Sequence, residues 1–373
     1  MADYTGSNVY TRIGARPVIN AAGNITLWGG STPSQSVKRA MDEAGMCFVE
    51  MKELFEKSGA HIADLLDVEA AYVTSGCYAA LVLSTAACIT GNDPEKRAQL
   101  PDMTGLKPEI LLQKKHHYGY DRSYTIPGST LVDVGDDSGT THEQLEAAIG
   151  PDTAAVAFLI GPNPHPSLVP LDDVVEIAHK HGVPVIADAA QQIYPLDYFR
   201  KNAQSADLVC FGGKYMQAPH STGFLCGRKG LVDAALEHGL TGPRPFGRGM
   251  KIDRQEVIGL VTAVDDWLEM DHEARVEDYR AKIDAISKPL VGVPNVKTEV
   301  VSNENFWVLN LHITFDSKAL GKTAGEVATE LEAEIPRIRI NTRKDDTLAL
   351  GVHNLGEGDE PIVAERIKKA LGG

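Results

Sequence analysis

Three short stretches combine chemically capable residues with neighbours that would set them at the ends of strands. Val183 to Ala187 is an apolar run that stops at Asp188, followed by Ala189 and Ala190. A carboxylate there either caps the next turn or accepts a hydrogen bond from a ligand nitrogen. Leu208–Phe211 is a second apolar run, closed by Gly212, Gly213 and Lys214. The glycines allow a sharp turn and close approach to a planar ligand. A lysine held in low polarity keeps a neutral fraction that condenses with an aldehyde; the alternative is a solvated loop lysine. Thr74-Ser75-Gly76-Cys77 joins a short strand to an apolar helix. The free N–H groups and positive end of that helix suit a phosphate, with Ser75 and Cys77 at hand. Otherwise Ser75 is an ordinary N-cap.

The order of the three is informative. A phosphate turn, then a strand-end Asp, then a Lys some two dozen residues on, is the order in pyridoxal 5′-phosphate (PLP) enzymes built like aspartate aminotransferase. In that chemistry Lys214 holds PLP as a Schiff base. Asp188 keeps the pyridine nitrogen protonated, so the ring can draw electrons from a substrate carbanion. No Walker pattern is present, and the glycine spacing does not match a dinucleotide fingerprint. The segment Gln113 to Asp121 comes after an expected strand and carries His116 and His117. His116 is placed to stack on a cofactor ring or else is a loop histidine; His117 reads as an exposed loop histidine. No acidic or cysteine partner lies at metal-ligand spacing, so no metal site is expected.

Positioning these groups takes a parallel sheet, because ligands bind outside the carboxyl ends of its strands. Strands are expected at Ala70–Val73, Ile110–Gln113, Thr130–Val134, Ala154–Ile160, Pro184–Ala187 and Leu208–Phe211. Helices are expected over 36–66, Tyr78–Ile89, Thr141–Ala148, Leu171–His181 and Lys229–Glu237. Such alternation predicts an α/β fold with helices on both faces of a mainly parallel sheet. From Ile252 to about Ser287 the pattern is one long helix or two. The tail reads as strands Lys297–Val301 and Trp307–Ile313, helix Thr323–Ile335, strands Ile338–Asn341 and Leu348–Val352, and helix Pro361–Leu371. The expected division is an N-terminal arm over 1–35, a large domain over 36–250 and a smaller α+β domain over 251–373. Pro17 to Asn20 is strand-like and is free to cross to the smaller domain or to a partner subunit.

Composition agrees with a globular enzyme. The chain has 373 residues, 43% hydrophobic and 23% charged, enough apolar material for a large core. Its net charge of −15 and the lack of a basic stripe argue against a nucleic acid partner. Five cysteines without CxxC spacing predict free thiols in a reducing compartment. The opening residues lack the form of a leader, and no apolar run is long enough to span a bilayer. A cytoplasmic location is expected.

The sequence resembles the selenocysteine synthase-like group of PLP enzymes, and within it the proteins related to D-glucosaminate-6-phosphate ammonia-lyase. The likeness rests on Arg16 to Asn24, Ser75-Gly76-Cys77, His116 to Asp121, Asp188-Ala189-Ala190-Gln191, Gly212-Gly213-Lys214 and Gly247 to Lys251. It implies the aspartate aminotransferase-like fold and a homodimer or higher homo-oligomer with active sites between subunits. It implies Lys214, Asp188 and His116 as catalytic residues. It implies a cofactor shell of Ser75, Gly76, Cys77, His116, Asp188, Gln191, Gly212, Lys214 and Arg248, the last reaching a phosphate or a substrate carboxylate. Relatives often carry Ser where Gly212 stands. The expected activity is an α,β-eliminating lyase of ammonia-lyase or dehydratase type, acting on a small amino acid or amino sugar acid. A racemase or β-replacing transferase would share the first carbanion, and a binding protein without chemistry is the rival of another class. Arg337, Arg339 and Arg343 read as carboxylate ligands or as surface charge.

Overall fold

The computed structural model describes residue 4 and residues 8–161, 165–303 and 308–373. Two compact units emerge, one of residues 33–269 and one of residues 1–32 with 270–373. Strand β1 (Val18–Asn20) opens the second of these.

The unit of residues 33–269 begins with helices α1 (Gln35–Gly45) and α2 (Met51–Leu66), then strand β2 (Ala70–Thr74) and helix α3 (Cys77–Thr90). Next come α4 (Pro94–Gln99), β3 (Glu109–Gln113), β4 (Thr130–Val134), α5 (His142–Ala148), β5 (Thr153–Leu159) and α6 (Leu171–Lys180). It closes with β6 (Val185–Asp188), α7 (Leu196–Ala203), β7 (Leu208–Gly212), β8 (Gly223–Gly227), α8 (Lys229–His238) and α9 (Arg254–Glu269). The seven strands form one sheet in the order β2-β8-β7-β6-β5-β3-β4. Strand β8 runs antiparallel to both of its neighbours, and β7, β6, β5, β3 and β4 pair in parallel. Strands β6, β7 and β8 are buried at every residue, as expected of strands covered on both faces. Helix α3 is buried around most of its circumference, so it is a core helix rather than an amphipathic one.

The helical stretch expected over 36–66 is broken after Gly45. Arg254 supplies the reason: its Nε donates to the carbonyls of Ala44 (3.1 Å) and Cys47 (2.8 Å), and Nη2 to that of Gly45 (3.2 Å). Carbonyls at a helix end need such donors, and a cation suits that pole of the dipole. Arg254 lies on α9, which packs along α1 and α2. This packing keeps α9 with the first unit and moves the division from the expected residue 250 to residue 269.

In the other unit, α10 (His272–Ser287) starts at an Asp271 cap that accepts from the Ala274 N–H at 2.9 Å. That cap splits the apolar pattern of 252–287 into two helices. Strands β9 (Val296–Asn303) and β10 (Val308–Phe315) come next, then α11 (Ser317–Leu320), α12 (Ala324–Ala333), β11 (Arg337–Arg339), β12 (Asn341–Arg343), β13 (Thr347–Gly351) and α13 (Asp359–Ala370). Trp307, expected to open β10, lies outside the described residues. The expected strand Ile338–Asn341 is divided between two sheets. β11 pairs in parallel with β1, and β12 joins the antiparallel sheet β12-β13-β10-β9. Ile19, Leu311, Ile313, Val327, Ile338, Leu350 and Ile367 share the core of this unit. Among the described residues, no helix is long and apolar enough to cross a membrane.

Candidate active site

Within the unit of residues 33–269, the carboxyl ends of β2, β3, β6 and β7 deliver the chemistry-bearing residues to one sheet edge. At the end of β2 the chain turns through Gly76, whose φ of 91° suits glycine, directly into α3. Gly76, at the N-cap, has no side chain to cap this helix. The first N–H groups of α3 and the positive pole of its dipole are therefore available to an anion. The Ser75 hydroxyl is engaged elsewhere, donating to the Met250 carbonyl at 2.8 Å. The Cys77 thiol points to Asp188 Oδ1 at 3.5 Å and not to the phosphate turn. Of the expected Ser75-Gly76-Cys77 phosphate group, both side chains with polar atoms are thus engaged by other residues.

Strand β6 ends at Asp188, which is 4% exposed. Its Oδ1 also accepts the Ala190 N–H at 2.9 Å, and its Oδ2 accepts the Tyr118 hydroxyl at 2.5 Å. Burial pushes the carboxyl up, while donors from Tyr118, Ala190 and Cys77 favour the ionised form. The turn after Asp188 is tied to the next strand end, because Gly212 donates its N–H to the Ala190 carbonyl at 2.9 Å. Gly212 closes β7, Gly213 is buried, and Lys214 is half-buried with Nζ 5.1 Å from the centre of the Tyr215 ring. Burial lowers the Lys214 ammonium from its ordinary value, and Cys77 opposes this. His220 is lowered too, by burial first and then by the neighbouring charge of Lys214.

After β3, a 3-10 turn over Lys114–His116 buries His116. The imidazole meets Phe158 edge-on at 4.5 Å, and its Nδ1 has no hydrogen-bond partner among the described residues. Burial, with His165 adding, brings His116 down to about 4, so the ring is neutral at physiological pH. His117 faces outward and bridges Asp121 (2.6 Å) and Asp133 (2.7 Å) through its two nitrogens. Tyr118 turns inward again to Asp188.

Other expected residues are less well placed. Gln191 is exposed, whereas the adjacent Gln192 is buried and donates to the Ile160 carbonyl at 3.0 Å. Arg248 is exposed on the 3-10 turn Phe246–Met250, which Ser75 anchors through Met250. In the other unit, Arg337 pairs with Glu332 at 2.7 Å, Arg339 also pairs with Glu332 and lies 4.0 Å over the Trp28 ring, and Arg343 is exposed. Sequence reasoning missed Tyr118. It stands inside the segment singled out for His116, but nothing local marks a contact with a residue 70 positions away.

These residues fit PLP. The uncapped start of α3 suits a phosphate, and the buried carboxylate of Asp188 suits a ring nitrogen. The lowered amine of Lys214 suits an aldehyde, and the buried neutral ring of His116 suits an aromatic face. The Aminotransferase class-V family matches residues 129–244. A 5′-C-glycyluridine monooxygenase-decarboxylase from Streptomyces sp is 31% identical, over 98% of this chain and 93% of its own. The chain belongs to the selenocysteine synthase-like family of PLP-dependent enzymes. Within it, D-glucosaminate-6-phosphate ammonia lyase of Salmonella typhimurium is 28% identical over 97% of both chains. A solved structure of D-glucosaminate-6-phosphate ammonia-lyase matches with a TM-score of 0.87 at 26% identity, covering 98% of this chain and 99% of that one. L-seryl-tRNA(Sec) selenium transferase of Moorella thermoacetica is 25% identical over 97% of this chain and 83% of its own. The fold is the aspartate aminotransferase-like fold, the cofactor is PLP, and the protein is an enzyme.

Proposed function

We propose that this enzyme removes the α-proton and a β-substituent from a small amino acid or amino sugar acid. The observation that carries the reading is the buried, triply hydrogen-bonded Asp188 on the same sheet edge as a half-buried Lys214 of lowered basicity. PLP, when bound, draws electrons from the substrate α-carbon and makes its proton removable. The start of α3 would hold the phosphate, and Asp188 would accept from the ring nitrogen. His116 offers the ring a flat apolar face. Lys214 would take the α-proton on Nζ, because burial keeps part of the amine neutral. Loss of a β-hydroxyl with a proton gives water, and hydrolysis of the remaining enamine gives a keto acid and ammonia. The whole-chain likeness to an ammonia-lyase supports elimination.

A second reading, loss of the α-carboxylate with oxygen uptake, is supported by the 31% identity to the Streptomyces relative. A panel of amino acids and amino sugar acids, with and without phosphate, tests both in deuterated buffer. Elimination gives stoichiometric ammonia and keto acid, with deuterium from the buffer at the former β-carbon. Carbon dioxide release with oxygen consumption supports the second reading. Exchange with inversion and no ammonia indicates a racemase, product substituted at the β-carbon indicates a transferase, and no turnover at all supports a binding protein.

We also propose a homo-oligomer, supported by exposed apolar side chains at Met46 and Phe48, the latter 93% exposed. Sedimentation at micromolar concentration tests it, and an active monomer contradicts it. The free cysteines support a reducing, cytoplasmic location.

A further inference from the structure

We propose that Tyr118 is a positioning residue for the cofactor ring, its hydroxyl fixing Asp188 so that the last open acceptor site on Oδ2 faces the ring nitrogen. The inference rests on reading Asp188 as the partner of that nitrogen.

An ionised carboxylate has about four acceptor sites. On Asp188, Oδ1 receives the Ala190 N–H (2.9 Å) and the Cys77 thiol (3.5 Å), and Oδ2 receives the Tyr118 hydroxyl (2.5 Å). Among the described residues one site remains, and it is on Oδ2. The three donors differ in what they can do. Ala190 sits two residues along the same chain and moves with the strand end wherever it goes. A thiol is a weak donor. Tyr118 is the strong donor, and it comes from a different element.

That element is held from outside. His117, the residue before Tyr118, is gripped at one nitrogen by Asp121 and at the other by Asp133 on β4. His116, the residue before that, is buried against Phe158. The loop is thus pinned to β4 and β5, and Tyr118 is its inward reach to Asp188. The other titratable groups around Asp188 are Cys77 from α3, Cys210 from β7, Tyr124 from the turn 121–124 and Tyr215 beside Lys214. Burial raises all four, so each stays neutral and none offers a compensating charge. Burial raises the Asp188 carboxyl, and the hydrogen bonds from Tyr118, Ala190 and Cys77 are what favour its charged form.

Tyr118→Phe removes the hydroxyl and keeps the ring that meets Tyr120 edge-on at 5.8 Å. The primary readout is the ionisation of Asp188, monitored by carboxyl carbon-13 NMR on the full chain before cofactor is added. Losing one charge-assisted bond should move its titration upward by about one to two pH units. Holoenzyme of the variant should then show weaker PLP binding in the pH window between the wild-type and variant titrations of Asp188, with the difference closing above both. Turnover should fall by roughly 10- to 100-fold with KM little changed. An Asp188 that titrates as in wild type overturns the proposal. Asp188→Asn separates this from failure of the underlying reading. If Asp188→Asn turns over normally, the reading of Asp188 is wrong and the proposal falls with it. If Asp188→Asn is impaired while Tyr118→Phe behaves as wild type, only the role of Tyr118 is lost. In the double variant, adding Tyr118→Phe to Asp188→Asn should cost little more, and a fully additive loss shows that Tyr118 acts by another route.

Discussion

Gly223 passes directly beneath the backbone nitrogen of Cys77, where a β-carbon on Gly223 would lie only 2.6 Å away. The same β-carbon would stand 2.6 Å from the Gly76 carbonyl carbon and 2.6 Å from the Phe211 oxygen. All three are backbone atoms, so nothing nearby can swing aside. Gly223→Ala should therefore displace the turn that begins α3. Overpacking of this kind costs about 1–3 kcal/mol, and equilibrium titration should show PLP affinity reduced by about 10-fold or more. Unchanged affinity would mean that the start of α3 does not hold the phosphate.

Lys214 should carry the cofactor. Borohydride reduction of the holoenzyme followed by peptide mapping is expected to find the label on Lys214, and Lys214→Ala should abolish turnover. A label on Lys114, Lys115 or Lys251 would move the site.

Asp188→Asn is nearly isosteric and should keep the fold. It should still bind PLP through the phosphate turn and Lys214. Loss of a well-placed charged partner costs about 2–4 kcal/mol of transition-state stabilisation, so turnover should drop roughly 30- to 1000-fold. α-Deuterium exchange should drop in parallel. Wild-type exchange would make Asp188 a structural cap.

Acid should destabilise the fold through three histidines. His116, His238 and His353 are brought down to about 4, chiefly by burial, from the ordinary value of 6.5. Between those values the unfolded chain binds protons that the native state does not, so unfolding free energy declines as pH falls from 6.5 towards 4. Each accounts for a loss of up to about 3 kcal/mol across that window. His117 has the opposite sign: hydrogen bonds to Asp121 and then Asp133 raise it. Its support is full below the unfolded value and is lost as pH rises through the folded one. It is well exposed, so solvent screens this effect. Urea unfolding at pH 5 and pH 7 measures the balance. His116→Gln should flatten the acid loss, and an unchanged slope would show that His116 is protonated in the native state.

Much of this arrangement is legible in the sequence, for a physical reason. Runs such as Val183–Ala187 and Leu208–Phe211 are apolar on both faces, so they read as interior strands, and the next residues after an interior parallel strand must emerge at the sheet edge. Asp188 and Lys214 are placed by that rule alone. The rule does not say which way a side chain turns once it has emerged. Gln191 and Gln192 are adjacent, and only the turn after Asp188 decides that the second is buried. Ser75 commits its hydroxyl to Met250, 175 residues away, and Tyr118 finds Asp188 across 70. Such pairings depend on packing between distant segments, which no local pattern encodes. The break between α1 and α2 is of the same kind, since the arginine that ends α1 lies on α9.

The pairing of β1 with β11 sets a timetable for biosynthesis. Ala22 and Asn341, joined by a hydrogen bond of 2.8 Å beside that pair, are 319 residues apart. At translation rates of about 5–20 residues per second, the opening arm waits roughly 15–60 s for its partner to be made. The intervening unit of residues 33–269 is contiguous and can close on itself meanwhile. A strand left waiting presents an unpaired edge. With three residues, β1 offers little for another nascent chain to pair with during the delay.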